Sequence, residues 1–577
     1  MTENYTQHEQ EYDEIYMILL IYHEKYPIAI KEIDREMLES INLNNPKLTA
    51  IINLHWQLFS LSDSVIMMNT KRNYRGASII LRTMMEITLL IQYFDKYPDE
   101  ARRWIDFQGI LMNKVVDKKT YNEYSHLTFE GYEELIKNRG YRDTSHITKE
   151  YYKRSLTFDP IFICSNIDYE KYIHGLTNYE QKRNLRNYYN ILSNDVHPSF
   201  TLFEPLEKDI EVELENLMTA LSFTEIVLKI IFNEIRTFIP EKTANEMHLL
   251  LLSMLKVLDK NTFDKIIDML ESSDNDKVNI QEIKTKGFIQ LPIHNGQKII
   301  HEANCPLPDD LVKEYQTERK QNPKRTNFYF DLAKRYFGLS EKTVYVIDLD
   351  INKIEGDENK DLFSVLSAIL LNNSILIHTI IDFNNYRKYS ESQAILRFIV
   401  ESAQMVLYFH QHPNEIKRWG DLQQLCIQRS IFNENIKWYA AMDYEGFRSY
   451  LQEKKYPKKI FNLINEKNYS SAKWFSPSFI HWQIDYGTLY KEKYMKDVFH
   501  ELSDIISLHS HPSIATSLYK NERLIDEEIF ILSTAYEMYI IMVDVILSRY
   551  QKYFPKQKVD DLIEILNTPI KEEKESS

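Results

Sequence analysis

A series of polar and aromatic residues occurs twice in this chain, at a constant spacing of 315 residues. One copy begins at Tyr74 and the other at Tyr389, and each runs through an Arg-x-x-x-Glu pair to a Pro-x-Glu-x-x-Arg-Trp segment. A repeat at a fixed offset indicates internal duplication, so the chain is predicted to contain two copies of one domain. The first copy supplies Tyr74, Arg82, Glu86, Tyr93, Phe94, Pro98, Glu100, Arg103, Trp104, Asp106 and Gln108.

Two later landmarks extend the repeat over most of the chain. A Ser-x-x-x-His-Pro-Ser segment ends at Ser199 and again at Ser513, and an aromatic turn reaches Pro240 and again Pro555. We therefore expect an N-terminal helical extension (1–47), a first helical repeat (48–241), an inter-repeat region (242–357), a second repeat (358–560) and a charged tail (561–577).

The fold class follows from the scarcity of glycine. Only 12 of the 577 residues are Gly, far below the usual share of about 7%, and tight β-turns need Gly. We predict an all-α fold with two helical bundles related by pseudo-twofold symmetry and a small mixed insert between them. The run Val344–Leu349 is compatible with a short strand in that insert. The long helices are predicted at Leu48–Thr70, Tyr74–Tyr97, Asp209–Thr237 and Ile525–Tyr553.

Composition predicts an acidic cytoplasmic protein. The formal net charge is −15, which disfavours non-specific binding to nucleic acid. The cysteines, Cys164, Cys305 and Cys426, lack the spacing of a disulfide framework or a zinc site. We expect no cofactor and no metal. The start of the chain, Met1–Tyr12, is polar and does not resemble a signal peptide.

The most apolar long segment, Leu362–Phe383, is interpreted as a buried helix. It carries two asparagines and a histidine, which a helix crossing a bilayer rarely contains. The sequence therefore predicts no membrane association.

The first candidate site is the Arg-x-x-x-Glu pair, Arg82 with Glu86 and Arg397 with Glu401. A spacing of four puts both side chains on one face of a helix, and apolar residues surround them, so both charges need partners. One interpretation is an internal ion pair that joins helices. The other is a polar pocket in which Arg recognises an anion or a base and Glu orients it.

The second candidate is the histidine of the His-Pro-Ser segment, His197 and His511. Proline disfavours a helical conformation in the residue before it, so each His is expected near a helix C-terminus. It would either cap the last carbonyl groups and pack beneath the turn, or serve as a general acid or base or a phosphate contact.

The order of these motifs resembles a family of bacterial all-helical domains of unknown function, which carry an Arg-x-x-x-Glu helix and a later His-Pro-Ser turn. More remotely, the layout is similar to the HEPN superfamily, whose members include RNases of toxin and phage-defence systems. That superfamily has an Arg a few residues before its His on one helix, whereas the nearest Arg before His197 is Arg186.

Two functions remain open. One is a helical sensor or scaffold, which the HEPN resemblance would place in stress response or phage defence, with a protein partner or a homo-oligomer. The other is an RNA- or nucleotide-binding protein, or an RNase, with a site between the repeats. The sequence has no phosphate-binding glycine loop, His-Glu-x-x-His helix or Gly-x-Ser-x-Gly turn, which argues against the ATPase, zinc hydrolase and serine hydrolase classes.

Overall fold

The structure, a computed structural model, describes residues 2–31, 45–71, 73–98, 210–260, 319–347, 353–386, 388–411 and 524–568, with isolated positions between these ranges. Regular structure in these ranges is helical throughout, so the predicted all-α class is confirmed for the described part of the chain. The chain divides into two compact units. The first contains the described residues up to 260 and the second those from 319 onward.

The helices of the first unit form a bundle. The second, third and fourth helices pack against one another, while the first lies against the fourth and fifth. In chain order they are α1 (Thr2–Lys31), α2 (Pro46–Thr70), α3 (Tyr74–Lys96), α4 (Ile210–Ile235) and α5 (Glu241–Leu258).

The second unit packs its helices in the corresponding pattern. Its second, third and fourth helices contact one another, and its first lies against the fourth and fifth. They are α6 (Pro323–Ile347), α7 (Asp357–Asn385), α8 (Tyr389–Gln411), α9 (Leu524–Tyr550) and α10 (Lys556–Asn567), with a short 3-10 turn at Gln551–Tyr553 between the last two.

Asparagines fix the starts of two helices in the first unit. The side chain of Asn45 accepts a hydrogen bond from the backbone N–H of Leu48, with Pro46 in the first helical position. Asn73 accepts from the N–H of Gly76 at 2.9 Å. A Cβ on Gly76 would lie 2.9 Å from the sulfur of Met68, so any larger residue there would displace the Met68 side chain.

The predicted strand at Val344–Leu349 is wrong over its described part. Residues 344–347 form the last turn of α6. Val346 and Ile347 are buried whereas Val344 and Tyr345 are exposed, which is a helical and not an alternating pattern. The apolar run extends the buried face of α6, so local β propensity is overridden by packing.

Three of the described helices are long and apolar enough, by length and composition, to cross a membrane. They span Gly76–Lys96, Asn359–Asn385 and Ile525–Tyr553, and between 61% and 78% of each apolar window is buried inside the protein. The predicted buried helix Leu362–Phe383 lies within the second of them. The cytoplasmic location stays a prediction.

Candidate functional site

The Arg82–Glu86 pair lies on α3 and is almost enclosed. The guanidinium Nη2 of Arg82 is 2.9 Å from Glu86 Oε1, and the two side chains are 12% and 5% exposed. The apolar residues on both sides of the pair are buried, among them Ile79, Leu81, Met85, Ile87 and Leu89. The two charges therefore neutralise each other inside the bundle, in a place where neither would be stable alone.

The Arg397–Glu401 pair on α8 has the same i,i+4 spacing but is more exposed to solvent and uses a different guanidinium nitrogen. Arg397 Nε donates to Glu401 Oε1 at 3.1 Å, and the side chains are 24% and 17% exposed. The second unit therefore makes the same local contact in a more polar setting.

The remaining predicted site residues, His197 and His511, lie outside the described residues. The structure therefore places four of the six predicted site residues and brings them together in two separate Arg–Glu pairs.

A polar contact that the sequence interpretation did not include lies at the end of the first unit, where α3 and α4 begin. Tyr74 Oη donates to Glu213 Oε1 at 2.5 Å. Asn69 Nδ2 donates to the backbone carbonyl of Glu213 at 2.9 Å, and Asn216 Nδ2 donates to Asn69 Oδ1 at 3.2 Å. Burial, followed by the negative charge of Glu213, raises the pKa of Tyr12 well above its usual value, so the Tyr12 hydroxyl keeps its proton beside this contact.

The second unit contains the corresponding contact around Glu528, which is fully buried. Tyr389 Oη donates to Glu528 Oε1 at 2.9 Å, and Asn384 Nδ2 donates to the backbone carbonyl of Glu528 at 3.4 Å. Arg319 Nη2 binds the second carboxylate oxygen at 3.0 Å. Ser392 Oγ donates to the side-chain oxygen of Asn384 and so orients its amide.

These two contacts use residues that are 315 positions apart: Asn69 and Asn384, Tyr74 and Tyr389, Glu213 and Glu528. Of these, only the tyrosines were identified from sequence. The asparagines and glutamates have no local motif, although comparing the chain with itself at the 315-residue offset would have found them. We call these two sets the Tyr–Glu–Asn contacts.

Next to Glu528 lies a second buried carboxyl group, that of Glu527. The side-chain amide of Gln393 donates to Glu527 Oε1. Burial raises the pKa of Glu527 to about 7 from 4.5, and the Gln393 hydrogen bond opposes this only partly. The Glu527 carboxyl group therefore titrates close to neutral pH, whereas Glu528 is paired with Arg319.

The two units differ at the opposite end of their bundles. In the first unit, Lys47 Nζ donates to Asp95 at 2.8 Å and to Glu234 at 2.7 Å. The positions 315 residues after Lys47, Asp95 and Glu234 are occupied by Leu362, His410 and Arg549. Arg549 Nε donates to His410 Nδ1 at 2.9 Å. Burial and the charge of Arg549 lower the pKa of His410, so the imidazole accepts this hydrogen bond as a neutral ring.

The Arg–Glu pairs and the Tyr–Glu–Asn contacts thus join polar side chains within each unit. Among the described residues, no group of three or more His, Cys, Asp or Glu side chains is arranged to hold a metal ion. A cavity of about 700 Å³ lies in the second unit between α6 and α7, and Arg397, Glu401 and Glu528 do not line it. A catalytic group needs space for a substrate within hydrogen-bonding distance. Because the cavity is not lined by these charged residues, we interpret their contacts as structural ion pairs and hydrogen bonds.

Comparison with known proteins finds one family. Residues 48–211 match a family of unknown function (DUF5677). No curated protein matches the chain, and no solved structure does. The matched segment begins two residues after the start of α2 and ends at the second residue of α4, so it contains the Arg82–Glu86 pair and Tyr74. The predicted resemblance to a family of unknown function is therefore confirmed for the first unit.

Proposed function

We propose that this chain is a helical scaffold or sensor protein built from two tandem copies of one helical domain, in which the shared polar residues hold the helices together. The observation that carries the proposal is the recurrence of the Tyr–Glu–Asn contacts at the same offset as the Arg–Glu pairs. In both units the glutamate near the start of one long helix accepts a hydrogen bond from the tyrosine that opens another.

The helix boundaries support the same conclusion. Adding 315 to the bounds of α3 gives those of α8, and adding it to α4 gives α9 to within one residue. The pattern of helix packing also corresponds in the two units. Two unrelated bundles would not repeat helix ends, packing order and buried polar contacts together. The pseudo-twofold relation between the copies stays a prediction from sequence.

The energetics of buried polar groups explain why such residues are expected in a domain that has no catalytic role. A buried ion pair contributes little net stability, but removing one partner leaves an uncompensated charge and is strongly destabilising. Directional contacts of this kind also favour one helix register over others, because a shifted register leaves the tyrosine and glutamate unpaired. Duplicated polar residues are therefore expected in a non-catalytic domain as well as in an enzyme.

A scaffold acts through its surfaces, so the proposal includes a protein partner or a second copy of the chain. The two units carry different charges at corresponding positions. Lys47 and two carboxylates of the first unit correspond to Leu362, His410 and Arg549 of the second. Such divergence at one end of otherwise similar bundles supports binding of different partners. The HEPN resemblance and a role in stress response or phage defence stay predictions.

The test separates scaffold from RNA- or nucleotide-binding protein. Tyr74→Phe and Tyr389→Phe remove the hydroxyl donor to Glu213 and to Glu528 while keeping the ring. The measurements are thermal unfolding, binding of fluorescent single-stranded RNA and of ATP, and RNA degradation, all at equal soluble protein. We expect lower unfolding temperatures for both variants and no saturable ligand binding by the wild-type protein.

The opposite result is a wild-type protein that binds or cleaves RNA, with variants that unfold normally yet lose that activity. It would replace the scaffold by a ligand site at the Tyr–Glu–Asn contacts. Arg335→Lys serves as a control, because Arg335 donates to the carbonyl of Thr568 at the C-terminal end of α10 and is not a member of the Tyr–Glu–Asn contacts.

A further inference from the structure

The outer face of α6 carries large apolar side chains that the second unit covers only in part. Phe330 is 48% exposed, Phe337 41% and Tyr345 60%. They recur after about two turns each, so they form one stripe along the helix. Lys334 and Glu341 lie within the stripe, and no ion pair joins either of them to another described residue. A stripe of this spacing suits the packing of another helix along α6.

A glycine in the middle of the stripe has no explanation within the chain. Gly338 is at the centre of α6, where glycine weakens a helix relative to alanine. A Cβ built on it would meet nothing within 4 Å. Gly76, by contrast, lies against the Met68 side chain. The chain has only 12 glycines, so one placed in a helix is notable. Because Gly338 has no side chain and lies near exposed aromatic rings, it would let the backbone of another helix approach closely.

We propose that α6 is a homodimer interface, in which the stripe packs antiparallel against the same stripe of a second copy of this chain. Charge complementarity selects this occupant. When a twofold axis passes between Phe337 and Gly338, Lys334 of each copy lies opposite Glu341 of the other. The same axis makes both ion pairs at once, as a closed twofold interface requires. The stripe is therefore complementary to itself in this register.

The same register gives each exposed phenylalanine a place to bind. Phe330 of one copy lies opposite Tyr345 of the other, where a cavity of about 700 Å³ opens. Its lining is partly apolar and consists of Glu341, Lys342, Val344, Tyr345, Ile347 and Leu371. An aromatic ring bound there would cover side chains that are otherwise exposed to solvent. Aromatic residues that insert into pockets contribute much of the binding energy of such interfaces.

Both members of this contact are held in position before binding. The ammonium of Lys558 lies 3.4 Å from the centre of the Tyr345 ring and also donates to the Tyr345 carbonyl at 3.1 Å. The guanidinium of Arg319 lies 5.0 Å from the centre of the Phe330 ring. Little side-chain entropy remains to be lost on association, which favours binding. The inference rests on the second unit alone and does not depend on the scaffold role.

Charge-reversal variants of the full chain provide the first test. Lys334→Glu places Glu opposite Glu in both symmetric contacts, and Glu341→Lys places Lys opposite Lys. By sedimentation equilibrium we expect the wild type to dimerise and each single variant to dissociate at least about tenfold more readily. The double variant restores both pairs and should dimerise again. An equimolar mixture of the two single variants should form a heterodimer, because each contact then joins opposite charges.

Gly338→Leu provides the second test, since it should leave the folded monomer at least as stable while it disrupts the dimer. The new side chain meets open space, so the unfolding midpoint of the monomer should not fall, whereas the dimer should be lost. A wild type that remains monomeric at about 100 µM would overturn the proposal and leave a different protein as the occupant. A dimer that survives Lys334→Glu, Glu341→Lys and Gly338→Leu would place the interface elsewhere and would also overturn it.

Discussion

Replacing Arg82 by methionine isolates the role of the buried Arg–Glu pair. Methionine keeps most of the volume of the arginine stem but leaves the Glu86 carboxylate, which is 5% exposed, without its cation. Loss of one partner of a buried pair costs about 3–5 kcal/mol. Because Arg82 is itself 12% exposed and Glu86 has further contacts, we expect a loss at the low end, about 3 kcal/mol at pH 7.

Hydrogen exchange read by mass spectrometry measures this loss locally, which matters because a chain of two units need not unfold in one step. Protection of α3 peptides should fall by the stated free energy, while peptides of α8 should keep theirs. Arg397→Met is the matched control. Its pair is 24% and 17% exposed, so the expected loss is about 1–2 kcal/mol, between the surface and buried values.

The double variant Arg82→Met, Glu86→Leu distinguishes an ion pair from a binding site. It removes both charges, so protection of α3 should recover most of what the single variant loses. The reasoning is refuted if Arg82→Met changes protection by less than about 1 kcal/mol, or if the double variant is as unstable as the single one.

Three further outcomes are expected. The pKa of Glu527 is raised to about 7, so the second unit loses stability as pH rises from about 4.5 through 7. Glu527→Gln should abolish this pH dependence and stabilise the second unit by up to about 3 kcal/mol at pH 8. The pKa of fully buried His55 is lowered to about 3, so the first unit loses up to about 1.4 kcal/mol per pH unit as pH falls below 6.5, and His55→Phe should flatten this dependence. Tyr389→Phe should cost about 1–3 kcal/mol, because Glu528 is fully buried.

Urea unfolding between pH 4.5 and 8, together with hydrogen exchange of each unit, measures all three. Parallel pH profiles of stability for wild type and Glu527→Gln would contradict the first expectation. Hydrogen-exchange protection of the first unit that does not change as pH falls would contradict the second. A Tyr389→Phe variant as stable as wild type would show that the hydrogen bond to Glu528 contributes nothing.

Local chemistry is the part of the fold that sequence predicted well. The tyrosine at position 74 and the asparagine before it set the start of α3, and the predicted end at Tyr97 differs from the observed end by one residue. The Arg–Glu pairs were predictable because both partners lie on one helix, four residues apart. Each of these features depends on residues close together in the chain.

Contacts between distant segments were not predictable in the same way. Tyr74 and Glu213 are separated by 139 residues, and no local pattern links a tyrosine at one helix start with a glutamate at another. The strand predicted at Val344–Leu349 failed for a related reason, because burial against α9 and α10 decides the conformation of α6. The exposed stripe around Gly338 became visible only once the packed faces of α6 were known.

A crystal structure of the full chain is the most direct test of the proposed tandem copies. We expect the helices of residues 46–258 to superimpose on those of residues 361–567. Tyr74 should bind Glu213 and Tyr389 should bind Glu528 at equivalent positions, with both carboxylates closed to solvent. Two units with different helix orders, or a Glu213 or Glu528 carboxylate that opens onto a solvent-filled groove, would contradict the proposal.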